Sequence, residues 1–128
     1  MNAAEPAPGL RLCALADIPD PGGKGFLFRE GDQIFLGFVV RRGGVVGGFV
    51  DRCPHTGTPL AAMPDRYLTR EGDLIVCSTH GAMFRPETGL CVAGPCEGRS
   101  LWPWPVIVAG DEVRTAFGAP SPLAGEGL

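Results

Sequence analysis

No window of a dozen residues in this chain carries apolar side chains at helical spacing, and that constrains the fold more than any other feature. Short β-rich runs separated by turns stand in its place. Arg11–Leu15, Phe26–Glu30, Gln33–Val40, Val45–Asp51, Asp73–Cys77, Met83–Arg85, Leu101–Ala109 and Glu112–Phe117 favour extended backbone and are the expected strands. Twenty glycines and thirteen prolines supply the punctuation. Arg41-Arg42-Gly43-Gly44 reads as a hairpin turn, and Pro86-Glu87-Thr88-Gly89 as another. The expectation is all-β, a small antiparallel sandwich or barrel.

At 128 residues the chain has room for one ordinary domain. Its ends, 1–9 and 118–128, are rich in small residues, proline and glycine and are expected to be flexible tails around a single domain at 10–117. Within it, about 52–98 differs from its flanks, with many turn residues and few strands, and is expected to be a loop-built subdomain on the β framework. A net charge of −3 argues against a sequence-independent grip on nucleic acid. The first twenty residues lack the pattern of a signal peptide, and no apolar run is long enough to span a membrane, so a cytoplasmic protein is expected. In a reducing compartment the five cysteines are better read as ligands or buried side chains than as a disulfide framework.

Both histidines sit beside cysteines. Cys53-Pro54-His55-Thr56-Gly57 and Cys77-Ser78-Thr79-His80-Gly81 are separated, from His55 to Cys77, by the residues 56 to 76. Two thiolates and two imidazoles suit a tetrahedral zinc ion, or a [2Fe–2S] cluster in which two histidines replace two cysteines on one iron. The order of ligands favours the cluster. Structural zinc sites commonly take like ligands from one knuckle, whereas here each loop offers one Cys and one His, as a clamp around two metals would need. Gly57 and Gly81 allow each loop to bend tightly and aim N–H groups at sulfur.

The paired C-x-H and C-x-x-H motifs resemble the signature of the Rieske [2Fe–2S] proteins. Phe84, Thr88-Gly89 and the later Gly94-Pro95 extend the likeness, which spans roughly 10–117. The resemblance implies that Cys53 and Cys77 hold an inner iron, and that His55 and His80 hold an outer one with their ring edges at the surface. Two ferric ions, two sulfides and two thiolates sum to zero charge, so an electron is taken up more easily than by a four-thiolate cluster. Rieske centres accordingly lie at roughly −150 to +300 mV, above plant-type ferredoxins at about −400 mV. High-potential members carry an extra cysteine in each ligand loop and Ser and Tyr hydroxyls donating to sulfur. Here that cysteine pair is absent, Ala82 stands at the Ser-like position and Phe84 at the Tyr-like one, so a midpoint near the bottom of the range is expected.

The implied function is that of a one-electron carrier, not itself an enzyme, taking electrons from a flavin-containing reductase and passing them to an oxygenase. Pro54, Leu60, Met83 and Pro95 form the expected contact rim around the histidine edges. A small subunit of a larger redox enzyme, of the nitrite-reductase kind, and a zinc-stabilised interaction module are the alternatives. Cys91 and Cys96, in CVAGPC, read as buried thiols or as a small disulfide loop, and Cys13 as core. In Leu101-Trp102-Pro103-Trp104-Pro105-Val106 the tryptophans are expected to pack, with the prolines marking an edge strand.

Overall fold

The computed structural model describes residues 3–117. Among them nine strands form three antiparallel sheets of three. The first sheet joins β1 (Arg11–Ala14), β8 (Val106–Ala109) and β9 (Glu112–Thr115), with β9 in the middle. The second is β2 (Gly22–Glu30), β3 (Gln33–Arg42) and β4 (Val45–Val50), with β3 in the middle. The third, from β5 (Ile75–Val76), β6 (Met83–Phe84) and β7 (Cys91–Ala93), supports the loop-built region. The all-β expectation holds.

The β3–β4 hairpin turns on Gly43 and Gly44, at φ 59° and 83°, flanked by the pair Arg42↔Val45. Two consecutive residues in the left-handed region match the twist of the flanking strands, and glycine reaches that region without penalty. β3 is buried through its middle, at Phe35 and over 37–40, because both faces are covered there. Phe38 and Val40 join one core, with Phe49, Leu60, Tyr67, Ile75 and Phe84. Phe35 and Val39 join the other, with Cys13, Ile18, Val46, Trp104 and Val113. Alternate side chains point to opposite faces, so one strand is the common wall of two cores.

Several elements differ from the sequence expectation, each for a local reason. β2 begins at Gly22, ahead of the expected Phe26, because its glycines serve a neighbour. A Cβ at Gly23 would meet the Tyr67 ring at 3.2 Å, and one at Gly25 would collide with the Tyr67 hydroxyl. The expected strand at 101–109 is regular only from Val106. Before it, Trp104 N–H donates to the Gly48 carbonyl at 3.0 Å and Val50 N–H donates to the Trp102 carbonyl at 2.7 Å, so 102–104 lines the edge of β4. The missing N–H groups of Pro103 and Pro105 cost nothing there. Asp73–Cys77 is strand only at Ile75–Val76, and Cys91–Ala93, read as loop, pairs with β6.

The segment expected as an N-terminal tail lies against the fold from residue 3. Gly9 N–H donates to the Thr115 carbonyl at 2.8 Å, the Thr115 hydroxyl donates to the Ala7 carbonyl at 2.7 Å, and Ala4 is buried. The expected C-terminal tail, 118–128, is outside the described residues. Among the described residues no helix is long and apolar enough to cross a membrane.

Candidate functional site

The two Cys/His loops are built alike. In the first, Cys53 N–H donates to the Thr58 carbonyl and Gly57 N–H to the Cys53 carbonyl, both at 2.8 Å. In the second, Cys77 N–H donates to the Ala82 carbonyl at 2.8 Å and Gly81 N–H to the Cys77 carbonyl at 3.0 Å. Counted from its cysteine, each loop makes the same two bonds. Each also places a glycine at the same offset, Gly57 at φ 76° and Gly81 at φ 74°. The likeness holds when counted from the cysteines and not from the histidines, since the histidine stands two places after Cys53 but three after Cys77.

The loops bring the four predicted residues together as two pairs. Cys53 and Cys77 are buried, 1% exposed each, and their thiols lie within hydrogen-bonding reach of one another. His55 and His80 are exposed, with ring centroids 5.0 Å apart and planes at 74°. Burial pushes the Cys53 thiol up, but N–H groups of Thr56 and His55 and the Cys77 thiol more than offset it, and the net direction is down. Cys77 is pushed up, by burial first and by Cys53 beside it, against an opposing backbone N–H from Thr79. Each sulfur therefore already faces backbone donors from its own loop. That environment suits thiolates bound to a charged centre.

Whether these donors fit a dinuclear cluster is decided by their spread. Among the described residues no three His, Cys, Asp or Glu side chains converge on a point that a single metal ion could occupy. Buried sulfurs at one end and exposed ring nitrogens at the other suit two metals better than one.

A third loop lies over the pair. Gly94, at φ 96°, approaches so closely that a Cβ there would fall 2.7 Å from the Ala82 Cα. Arg99 adds a tie, its Nη1 donating to the Pro54 carbonyl at 3.2 Å. Of the expected rim, Pro95 is exposed and Pro54 and Met83 are half-buried. Leu60 is not rim but core, at 0% exposure, because its backbone joins the loops together. The Leu60 carbonyl accepts from both the N–H and the hydroxyl of Ser78 at 2.8 Å. Trp102 is the apolar surface residue that sequence reasoning placed in the interior. It is half-exposed and carries the Arg52 guanidinium over its ring at 5.3 Å.

Sequence reasoning also missed Asp51, a buried carboxylate two residues before Cys53. It accepts from Leu60 N–H at 2.8 Å and from the Tyr67 hydroxyl at 2.9 Å, and so fixes where the first loop ends. Tyr67 stacks on Phe38, centroids 4.2 Å apart, and burial together with the Asp51 charge pushes its hydroxyl up, which keeps it a donor. Tyr67→Phe leaves one Asp51 oxygen without its donor in a buried setting. The expected loss is about 1–3 kcal/mol of stability, read from the urea midpoint.

Residues 10–114 match the family model for the Rieske [2Fe–2S] domain. No curated protein matches the chain significantly. Among solved structures, the ferredoxin of carbazole 1,9a-dioxygenase from Nocardioides aromaticivorans IC177 is 24% identical with a TM-score of 0.65, over 88% of this chain and 100% of that one. The Sphingomonas yanoikuyae B1 ferredoxin is 25% identical with a TM-score of 0.63, over 85% and 98%. A chain from the complex of reduced oxygenase and oxidized ferredoxin in carbazole 1,9a-dioxygenase is 26% identical with a TM-score of 0.64, over 84% and 91%.

Proposed function

This chain belongs to the Rieske [2Fe–2S] domain family, and we propose that it is a one-electron carrier that takes electrons from a flavin-containing reductase and delivers them to an oxygenase. When bound, the [2Fe–2S] cluster accepts and releases a single electron. Cys53, Cys77, His55 and His80 would hold it, the two thiols from the buried side and the two imidazoles from the surface. The observation that carries this reading is the disposition of the four side chains, two thiols enclosed by backbone donors and two imidazoles side by side at the surface. The ring edges are where an electron can leave without a partner having to open the fold. An oxygenase as acceptor is supported by the similar ferredoxin chain, whose structure is described as a complex with its oxygenase.

The chain's own side chains also bear on the potential. Ala82 and Phe84, buried at 1% and 0%, bring no hydroxyl to the sulfurs. Redox titration of the purified protein is expected to give a midpoint near the low end of the Rieske range, at about −150 mV. A midpoint well above zero would mean that another donor replaces the missing hydroxyls.

The test of the reading itself is the visible spectrum of fresh protein before and after dithionite, with iron and acid-labile sulfide assayed on the same sample. A red-brown protein that bleaches on reduction, with about two irons and two sulfides per chain, is expected. A colourless protein holding stoichiometric zinc would end the electron-transfer proposal.

A further inference from the structure

The loop over the candidate centre carries two cysteines that the four-ligand reading leaves unused. Cys91 opens β7 and Cys96 follows Gly94-Pro95. Their sulfurs lie 3.1 Å apart, and the Cys91 sulfur is also 3.2 Å from the Ala93 carbonyl oxygen. Both are free thiols and both are buried, at 2% and 3% exposure. The backbone sets them face to face. Cys91 N–H donates to the Arg99 carbonyl at 2.7 Å, Gly98 N–H to the Cys91 carbonyl at 3.2 Å, and Arg99 N–H to the Cys96 carbonyl at 2.9 Å. A thiol is a weak donor and a sulfur a weak acceptor, so this contact adds little as a hydrogen bond. It is, however, the placement from which two cysteines on facing segments can be joined by small side-chain rotations.

We propose that Cys91 and Cys96 are a redox-modification site, closing to a disulfide within the covering loop when the protein meets a peroxide or a low-molecular-weight disulfide. With hydrogen peroxide, one sulfur attacks an oxygen, the O–O bond breaks and water leaves, giving a sulfenic acid. The second sulfur displaces its oxygen as another water. The two thiols lose two electrons and two protons, and one peroxide becomes two waters. With a small disulfide the same electrons reduce its S–S bond, and two small thiols are released.

Both sulfurs are buried, so oxidant reaches the pair slowly. It responds to sustained oxidant and not to each passing electron. Once closed, it ties β7 to the segment whose Gly94 sits on Ala82, and so holds the cover in place.

The experiment uses the protein as purified. It is incubated with hydrogen peroxide or oxidised glutathione, denatured, its free thiols are blocked with iodoacetamide, and it is cut with glutamyl endopeptidase. Cleavage after Glu87 and Glu97 releases residues 88–97, which contain Cys91 and Cys96 and no other cysteine. After oxidant, this peptide is expected to be unalkylated and lighter by two hydrogens, and to take up two alkyl groups if dithiothreitol precedes the blocking. In Cys91→Ser the two-hydrogen loss should vanish. Recovery of the doubly alkylated peptide from oxidised wild-type protein overturns the proposal, as does a cross-link from Cys96 to Cys53. The visible spectrum of the same sample reports separately on the cluster, so failure of one reading is distinguishable from failure of the other.

Discussion

Exchanging His80 for cysteine is expected to carry the midpoint potential from the Rieske range, roughly −150 to +300 mV, toward the about −400 mV of all-thiolate clusters. The reason is charge. A neutral imidazole is replaced by a thiolate, so the oxidised centre goes from zero to −1 and the reduced one from −1 to −2. Adding an electron to a centre that is already negative costs more, and the exposed position of His80 screens only part of that cost. The visible spectrum should change with the ligand. Redox titration and absorption on one sample measure both effects. A variant that fails to assemble any cluster would equally place His80 among the ligands, whereas an unchanged spectrum and midpoint would remove it from them.

Trp104→Ala is expected to cost about 3–5 kcal/mol of stability, a large share of the roughly 5–15 kcal/mol that holds an ordinary domain together. The indole is 2% exposed and meets Phe26, Phe28 and Phe35 edge-on, at centroid distances of 6.1, 6.2 and 5.2 Å. Nearby backbone is shaped to admit it. A Cβ at Gly37 would lie 2.5 Å from its ring, and one at Gly48 2.5 Å from its carbonyl oxygen. With those glycines already at the limit of approach, the chain has little to move into the space, and a cavity remains. Urea unfolding of the apo and cluster-bound forms would show the loss as a lower midpoint. Trp102→Ala is the control, since a half-exposed ring should cost far less. Equal losses in the two variants would show that burial does not distinguish them.

That contrast also shows what the sequence could and could not reveal. Two tryptophans spaced by two on extended backbone point to the same face by the strand rule, and both were expected inside. Pro103 and Pro105 break that regularity, leaving one ring in the core and the other on Arg52. The metal-binding motif was legible because its residue types are scarce. The chain has two histidines, and each stands beside a cysteine in a glycine-closed loop. Asp51 was not legible because a carboxylate next to a strand normally reads as a solvated end, and its partners Leu60 and Tyr67 are distant in sequence. Leu60 was misjudged for a similar reason. Proximity to His55 in the chain suggested surface, whereas its backbone is spent joining the first loop to Ser78. Gly23 and Gly25 lay outside the expected strand, yet they belong to one thinned to admit Tyr67. Such contacts are set by tertiary approach, and no local pattern announces them.

The double role of β3 reaches further than packing. Since Phe38 and Val40 face one core and Phe35 and Val39 the other, sliding the strand by one residue against either neighbour would exchange the two sets at once. The turns at the two ends of β3 therefore guard both cores at once. Gly43 and Gly44 on one side, and Gly31 at φ 61° between β2 and β3 on the other, act as the alignment pins of the whole assembly. A bulky replacement at either turn would be felt in both cores together, because one strand carries the register of both.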